Sequence, residues 1–199
     1  LNHLRAEYQR MLDKLGKQPE RKRWNMDPYE VNAYYSPGRN EIVFPAGILQ
    51  KPFYDANYPR AYLYGSVGAV MGHEMTHGFD DQGRLYDKDG NMDNWWTNAS
   101  SDAFRQKTRC MKDQYSEFVF QGFNVMGDRT IGENIADNGG VKSGYHAFSK
   151  WLPTSTDRKL PGLDFTADQL FFMGFGQIWC SHYTHAYAET SILSDEHSP

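Results

Sequence analysis

The chain has 199 residues, of which 39% are hydrophobic and 23% are charged, so it can form one globular domain with a sizeable core. Its net charge of −4 comes from intermixed acids and bases, which does not favour a nucleic-acid partner. No apolar stretch is long enough to span a membrane, and no secretory signal pattern opens the chain. Because the chain begins at Leu1 without a methionine, we expect it to be a fragment of a longer protein.

The first predicted element is an amphipathic helix. Apolar residues recur at helical spacing between Leu1 and Leu15, and Gly16 ends the pattern. We interpret the apolar stripe of this helix as core packing. Residues 1–30 are therefore assigned to the helix and to the loop that follows it.

A β-hairpin is predicted over residues 31–44. The turn signal Ser36-Pro37-Gly38-Arg39-Asn40 separates a first strand from the returning strand Glu41-Ile42-Val43-Phe44. Asn32 and Ala33 belong to the first strand. If that strand lies at an edge, it can hold an extended peptide by β-augmentation. The same pattern fits a plain structural hairpin equally well.

The most informative segment is His73-Glu74-Met75-Thr76-His77, within a helix predicted from Ala61 to Phe79. Two histidines four residues apart project from the same helix face, so they can bind one zinc ion together. Glu74 is rotated by roughly 100° from His73, which places it to act as a general base on a water. A buried and unpaired Glu74 would be unfavourable without a metal or a partner, which argues against a chance match on a surface helix.

The remaining chain is predicted to be helical between irregular segments. Residues 81–94 form an irregular loop, in which Asp87-Lys88-Asp89-Gly90-Asn91 is a turn because it lacks a complete calcium-ligand set. Thr166 and Gln169 match a capping box at the start of the last helix. That last helix is apolar nearly all round and should be buried. The three predicted helices span residues 101–120, 133–151 and 170–180.

A second pair of side chains with metal-binding chemistry occurs at Glu133 and Asp137. These acids are four residues apart and share one helix face. One carboxylate can be the third protein ligand that a catalytic zinc needs, and the other can accept the free ring N–H of a ligating histidine. The alternative is a pair of solvated acids, which the presence of the histidine motif elsewhere in the chain makes less favourable.

Three segments of the chain resemble the neprilysin and endothelin-converting-enzyme family of zinc metallopeptidases. The matching segments are Val31-Asn32-Ala33-Tyr34-Tyr35, His73-Glu74-Met75-Thr76-His77-Gly78-Phe79-Asp80-Asp81 and Gly132-Glu133-Asn134-Ile135-Ala136-Asp137-Asn138-Gly139-Gly140. The resemblance runs from about Asn32 to Pro199. It implies an α+β, mostly helical fold, the thermolysin-like zinc peptidase core with a small β-hairpin. We expect residues 31–199 to form this core, within a single catalytic-domain fragment that is truncated at its C-terminus.

The resemblance assigns the metal-binding roles. It implies that His73, His77 and Glu133 bind a single zinc ion and that Glu74 is the general base. It also implies that Asp137 orients one of the ligands, His73.

Other matches extend the catalytic machinery. Asp80 resembles a second family acid that contacts a metal-binding side chain and does not bind the metal itself. The tail Asp195-Glu196-His197-Ser198-Pro199 resembles the family segment whose histidine stabilises the tetrahedral oxyanion, which gives that role to His197 and an orienting role to Asp195. From position alone, His197 is expected to be a disordered terminal residue.

Five residues match positions that contact substrate in the family. Asn32 and Ala33 match contacts to the substrate backbone, whereas Phe53, Val70 and Trp179 match the pocket for the residue just after the scissile bond. Judged from the sequence pattern alone, Phe53, Val70 and Trp179 fit ordinary core residues equally well. The family also has an arginine shortly beyond the matched histidine and a large N-terminal helical region, and this chain contains neither.

The function implied by the resemblance is zinc-dependent endopeptidase activity on small peptides, with cleavage on the amino side of hydrophobic residues. One alternative is a catalytically silent binding ectodomain of the same fold, but the zinc ligands and Glu74 are intact. Another is a zinc aminopeptidase, but the chain has no Gly-x-Met-Glu-Asn type motif for a free amino terminus.

The resemblance also implies a parent protein on the extracellular face of the plasma membrane, anchored through a membrane segment outside this chain. The alternative that it leaves open is a secreted parent protein. Cys110 and Cys180 cannot be assigned from spacing and fit two buried free thiols. The resemblance instead implies that each pairs with a cysteine outside this stretch, in an oxidising compartment. Asn98-Ala99-Ser100 is a candidate N-glycosylation site.

Overall fold

A computed structural model of the protein describes residues 2–17, 24–154 and 157–199. Within these ranges the secondary structure consists of seven α-helices, short 3₁₀ turns and two antiparallel hairpins. The helices are α1 (Asn2–Leu12), α2 (Arg60–Gly65), α3 (Val67–His77), α4 (Asn98–Ser116), α5 (Ile131–Trp151), α6 (Ala167–Ile178) and α7 (His185–Ser194). The strands are β1 (Tyr34–Ser36), β2 (Glu41–Val43), β3 (Val119–Phe120) and β4 (Phe123–Asn124). The predicted mostly helical α+β class is therefore confirmed.

The close crossing of α3 and α5 is the feature that builds the site. A Cβ atom at Gly140 would lie 2.5 Å from the carbonyl oxygen of Ala69 and 2.8 Å from the backbone nitrogen of His73. A Cβ atom at Gly72 would meet the backbone of Gly140 at 2.9 Å. Because these glycines have no side chain, the two backbones can approach closely. The histidines of α3 consequently face the acidic residues in the first turns of α5.

Two apolar clusters support this crossing. Ala61, Phe148, Leu170 and Phe171 are almost fully buried and join α2, α5 and α6. A second cluster, formed by Ala33, Ile48 and Val70, packs the segment before β1 against α3. The first cluster holds α5 against α2 and α6, and the second holds α3 against the segment before β1, so burial of their apolar surface keeps both crossing helices in place.

Ser66 divides the long helix predicted from residue 61 to residue 79. Its backbone has φ −91° and ψ −99°, outside the helical region, so α2 ends before it and α3 begins after it. The buried Ser66 hydroxyl lies 2.8 Å from the carbonyl oxygen of Tyr62 and 2.9 Å from that of Phe53. The prediction of one continuous helix was wrong because the Ser66 side chain bonds to the backbone at the break.

The predicted hairpin is present, but its first strand is shorter than expected. Tyr34 pairs with Val43 and Ser36 pairs with Glu41 in an antiparallel register. Asn32 and Ala33 precede β1 and are not in a strand, which corrects their assignment.

Core packing by the first helix is not observed. No residue of α1 is buried, and Leu4, Tyr8 and Met11 are each more than 60% exposed. Within the described residues, this apolar stripe is therefore a surface feature. The loop predicted to extend to residue 30 lies partly outside the described residues.

The later helices differ from their predictions at the ends and in burial. α4 begins at Asn98, where Thr97 caps it by accepting from the backbone N–H of Ser100, and it ends at Ser116. The predicted capping box of α6 is confirmed. Complete burial of α6 was wrong, because Phe172 and Met173 are 53% and 43% exposed. α7 and the β3–β4 hairpin were not predicted.

Two further expectations concern the loop after α3 and the cysteines. The predicted turn at residues 87–91 is present, and the Asp87 side chain accepts from the backbone N–H groups of Asp89 and Asn91. Cys110 and Cys180 are both free and exposed, so their interpretation as buried thiols was wrong. No helix in the described ranges combines the length and the apolar character needed to cross a membrane.

Candidate metal centre and active site

The structure brings His73, His77 and Glu133 together at the α3–α5 crossing. Their potential ligand atoms all lie within 4.8 Å of one another. The Nε2 atoms of the two histidines are 2.9 Å apart, and Glu133 Oε2 lies 3.1 Å from His73 Nε2 and 3.5 Å from His77 Nε2. Three potential donor atoms thus converge on one point.

A separate carboxylate holds the far side of each histidine. His73 Nδ1 lies 2.8 Å from Asp137 Oδ1, and His77 Nδ1 lies 2.7 Å from Asp80 Oδ2. Asp80 is itself fixed, because its Oδ1 accepts from the backbone N–H of Gly83. A carboxylate at Nδ1 favours a proton on that nitrogen and leaves the Nε2 lone pair free to bind a metal.

This arrangement fits a divalent cation. When both Nδ1 atoms carry protons, the neutral rings of His73 and His77 present two lone pairs to each other. Glu133 Oε2 adds a third acceptor, and it is buried without a hydrogen bond of normal geometry to any described residue. Two imidazoles and one carboxylate are a donor set that zinc uses in catalytic sites.

In the metal-free chain, the close contacts among these histidines and carboxylates also shift their pKa values. Burial opposes protonation of His73, but its contacts with Asp137 and Glu133 outweigh burial and raise its pKa to about 9. Asp80 and Glu133 likewise overcome burial at His77 and raise its pKa to about 10. Burial raises the pKa of Glu133, but the surrounding histidines hold it well below its usual range.

Glu74 lies on α3 beside this cluster and is 5% exposed. None of the described residues donates a hydrogen bond to its carboxylate, which faces the same cavity as the histidines. Burial raises its pKa, and the charges of His73 and His77 partly offset this effect. A carboxylate with a raised pKa next to a metal site can accept and return a proton.

His197 reaches the cluster from the segment that follows α7. Its Nε2 lies 3.2 Å from Glu133 Oε2, and its Nδ1 lies 2.9 Å from Asp195 Oδ1. The same Asp195 oxygen accepts from the His197 backbone N–H. Glu133 raises the pKa of His197 to about 9 despite partial burial, and Asp195 contributes in the same direction. The residue is thus placed at the site, although its sequence position favours disorder.

A cavity of about 400 Å³ opens over the cluster. Its size is within the range of small-molecule and peptide subsites. The five residues expected to bind substrate all line it: Asn32, Ala33, Phe53, Val70 and Trp179.

Phe175 and Ile48 are among the apolar lining residues that were missed from the sequence. Phe175 lies one helical turn before Trp179, with the ring centroids 6.4 Å apart, so the spacing along α6 could have identified it. Ile48 lies in a 3₁₀ turn and is 2% exposed, and no sequence signal marks it as a cavity residue.

Comparison with known proteins shows that the chain is similar to a family of peptidases. Residues 32–199 match the model of peptidase family M13. The chain is 53% identical to endothelin-converting enzyme 1 of Mus musculus over 188 residues, which cover 94% of this chain and 24% of that protein. It is 48% identical to membrane metallo-endopeptidase-like 1 of Homo sapiens, a match that covers 100% of this chain and 26% of that protein. The chain thus spans about a quarter of the length of these relatives.

Solved structures show the same fold. The Mycobacterium tuberculosis zinc metalloprotease Zmp1 in complex with an inhibitor superposes with a TM-score of 0.91 at 42% identity, covering 97% of this chain and 30% of that one. PepO from Lactobacillus rhamnosis superposes with a TM-score of 0.82 at 37% identity, covering 93% and 28% respectively. The expected zinc peptidase core is therefore confirmed. Because the model of peptidase family M13 matches residues 32–199, the chain belongs to that family.

Proposed function

We propose that this chain is the catalytic part of a zinc-dependent endopeptidase that hydrolyses oligopeptides on the amino side of hydrophobic residues. The observation that carries the proposal is the convergence of His73 Nε2, His77 Nε2 and Glu133 Oε2 beside the buried Glu74 carboxylate. The printed names of the relatives, endothelin-converting enzyme and metallo-endopeptidase, describe the same class of reaction.

In this proposal His73, His77 and Glu133 hold one zinc ion. Asp137 and Asp80 orient the two histidines through their Nδ1 atoms. When bound, zinc acts as a Lewis acid that polarises a peptide carbonyl and acidifies water. Loss of either orienting acid would leave a ligand ring free to rotate, so these acids support affinity without touching the metal.

Glu74 is the general base in this reaction. Its carboxylate accepts the proton from the attacking water and later delivers that proton to the leaving amine. Burial raises its pKa, which makes the return of the proton easier than it would be from a solvated glutamate. No covalent enzyme intermediate is needed.

His197 stabilises the negative charge that develops on the carbonyl oxygen. Glu133 and, to a lesser extent, Asp195 raise the pKa of His197 to about 9 and favour the protonated ring, and because Asp195 holds Nδ1, Nε2 carries a hydrogen that can be donated. A donor fixed in place before the reaction stabilises the transition state without reorganisation.

The cavity supplies the substrate contacts. Asn32 and Ala33 line it and would bond to the peptide backbone. Phe53, Val70 and Trp179 form an apolar wall that would receive the side chain after the scissile bond. Burial of that side chain would favour hydrophobic residues at this position.

We also propose that the functional protein is longer than this chain and acts outside the cell, either anchored in a membrane or secreted. One relative carries the word membrane in its name, and the chain spans only about a quarter of that protein. The exposed thiols of Cys110 and Cys180 are accessible to partner cysteines outside these residues.

The deciding experiment is a peptidase assay on the full-length protein that contains this chain, with zinc content measured in parallel. A quenched fluorescent peptide with one hydrophobic residue is the substrate, and the product termini are sequenced by mass spectrometry. We expect cleavage before the hydrophobic residue that stops on zinc removal and in Glu74→Gln. Zinc binding without any cleavage would favour a silent binding ectodomain, and stepwise release of the first residue would favour an aminopeptidase.

A further inference from the structure

A hydrogen bond fastens the segment after α7 to α5 next to the candidate metal centre. Ser198 Oγ donates to Asn134 Oδ1 at 2.8 Å. Asn134 is 1% exposed, and its Nδ2 donates to Thr130 Oγ1 at 2.8 Å. Both ends of the Asn134 amide are therefore occupied by named partners, so the direction in which Oδ1 points is defined.

His197 lies between two attachments. On one side Asp195 binds both the backbone N–H and Nδ1 of His197, and on the other side Ser198 binds Asn134. The His197 side chain itself is 56% exposed, so packing around the ring does little to hold it. The attachments on either side consequently restrict its position.

The helix α5 connects this attachment to the metal ligand. Glu133 and Asn134 are consecutive, and consecutive helical residues point roughly 100° apart. One helix turn therefore presents Glu133 to the histidines and Asn134 to the terminal segment. Any displacement of α5 moves the ligand and the attachment point of His197 together.

We propose that Asn134 is a positioning residue for His197 and that it acts through the Ser198 hydroxyl. The inference rests on the oxyanion role proposed for His197. Without the Asn134–Ser198 bond, the described contacts that remain at His197 are those with Asp195 and the 3.2 Å contact of its Nε2 with Glu133 Oε2, so the ring can shift within the cavity. A displacement of about 1 Å at a catalytic group can lower a rate by up to about 100-fold.

The test breaks the bond from the less buried side. Asn134→Ala puts folding at risk because the residue is buried, whereas Ser198→Ala removes only the hydroxyl that donates to it. Ser198→Thr keeps a hydroxyl. The matched control is Ser194→Ala, which removes an exposed hydroxyl that bonds within α7, to the carbonyl oxygen of Thr190. All variants are made in the full-length protein that contains this chain, and zinc content, melting temperature, kcat and KM are measured for each.

We expect Ser198→Ala to lower kcat on the order of 10-fold with little change in KM or zinc content. Ser198→Thr should recover most of kcat, and Ser194→Ala should match the parent protein. Added to His197→Ala, Ser198→Ala should cause no further loss, because the group that it positions is already absent.

Two outcomes would overturn the inference. A lower melting temperature with unchanged kcat in Ser198→Ala would make the bond purely structural, and a full additional loss in the double variant would mean that Ser198 acts independently of His197. The proposed function fails separately, if Glu74→Gln retains turnover.

Discussion

The imidazole Nε2 atoms of His73 and His77 lie 2.9 Å apart, although the Nδ1 atom of each ring is held by a different carboxylate. Two acceptor nitrogens cannot remain so close unless a cation or extra protons lie between them. In the proposed zinc-bound protein the cation would be the metal, and in the metal-free protein it would be a proton. Metal binding and protonation therefore compete at the same atoms.

The stability of the metal-free protein should depend on pH because of this competition. The pKa values of His73 and His77 are about 9 and about 10 in the folded chain, above the ordinary value of 6.5. A group whose pKa is raised by folding stabilises the folded state fully below its unfolded pKa, and this contribution is lost as pH rises through the folded pKa. We expect the chelated protein to melt at a lower temperature at about pH 10 than at about pH 7.

The zinc-loaded protein at the same pH values is the control for the other groups that titrate in this range. Between about pH 7 and about pH 10, the melting temperature of the zinc-loaded protein should fall less than that of the chelated protein, because zinc replaces the protons on the ligand nitrogens. Equal losses with and without zinc would show that these histidines do not govern the effect.

Glu74→Gln should keep the metal and lose hydrolysis. The substitution preserves the shape of the side chain but removes the proton acceptor. Loss of general-base catalysis typically lowers the rate on the order of 10²- to 10⁴-fold. Zinc content and peptide turnover measured on one preparation separate the two effects. A variant with near-normal turnover would contradict the role of Glu74 as the base.

Glu133→Ala should abolish stable zinc binding, whereas Asp137→Ala should only weaken it. Removal of Glu133 eliminates one of three converging atoms, but removal of Asp137 leaves all three in place and frees His73 to rotate. Loss of such an orienting partner typically costs about 10- to 100-fold in affinity or activity. Asp80→Ala should fall in the same range, because Asp80 holds His77 in the same way.

A zinc titration against a competing chelator ranks these variants. Asp89→Asn is the control for removal of an acid, since Asp89 is exposed and pairs with Lys88 away from the metal site. If Asp137→Ala lost more affinity than Glu133→Ala, the assignments of ligand and orienting acid would be reversed.

His197→Ala should lower kcat sharply and change KM little. An oxyanion donor acts on charge that develops in the transition state, so its loss falls on kcat. The expected effect is roughly 2.7–4 kcal/mol if the residue behaves as other oxyanion donors do. Steady-state kinetics on a peptide with a hydrophobic residue after the cleaved bond would measure it. An unchanged kcat with a large rise in KM would instead make His197 a substrate-binding residue.

Gly140→Ala should destabilise the fold and weaken zinc binding together. The new methyl group would lie 2.5 Å from the Ala69 carbonyl oxygen, so α3 and α5 must separate and carry His73 away from Glu133. Overpacking of this kind typically costs about 1–3 kcal/mol.

Gly176→Ala is the matched control for this prediction. Gly176 lies within α6, and nothing lies within 4 Å of an added Cβ atom there. This change should leave zinc affinity unaltered and stabilise the protein by about 0.4–1 kcal/mol, because alanine restricts the unfolded chain. Thermal unfolding and zinc titration of both variants test the prediction, which fails if Gly140→Ala binds zinc as tightly as the parent chain.

Much of the candidate site was predictable because its chemistry depends on local spacing. The separation of His73 from His77, and of Glu133 from Asp137, places each pair on one face of a helix whatever the surrounding fold. The His73–Asp137 contact at 2.8 Å lies where the resemblance placed it. The capping box at Thr166 and the turn at Asp87 were equally local and were also predicted.

Elements that depend on distant contacts were predicted less well. The break at Ser66 depends on a hydroxyl bonded to the backbone of Phe53, which no helical periodicity reveals. The exposure of α1 and of one side of α6 depends on which faces find partners, and the apolar pattern alone indicates burial for both.

By itself the sequence determined which groups can bind a metal and move a proton, because residue identity and helical spacing are properties of the local chain. The tertiary structure decided whether those groups meet. The glycine contact at Gly72 and Gly140 lets α3 and α5 cross closely enough for Glu133 to reach the histidines. The hydrogen bond from Ser198 to Asn134 brings the last residues of the chain to the same point. Such contacts join residues far apart in sequence, so only the packed fold can specify them.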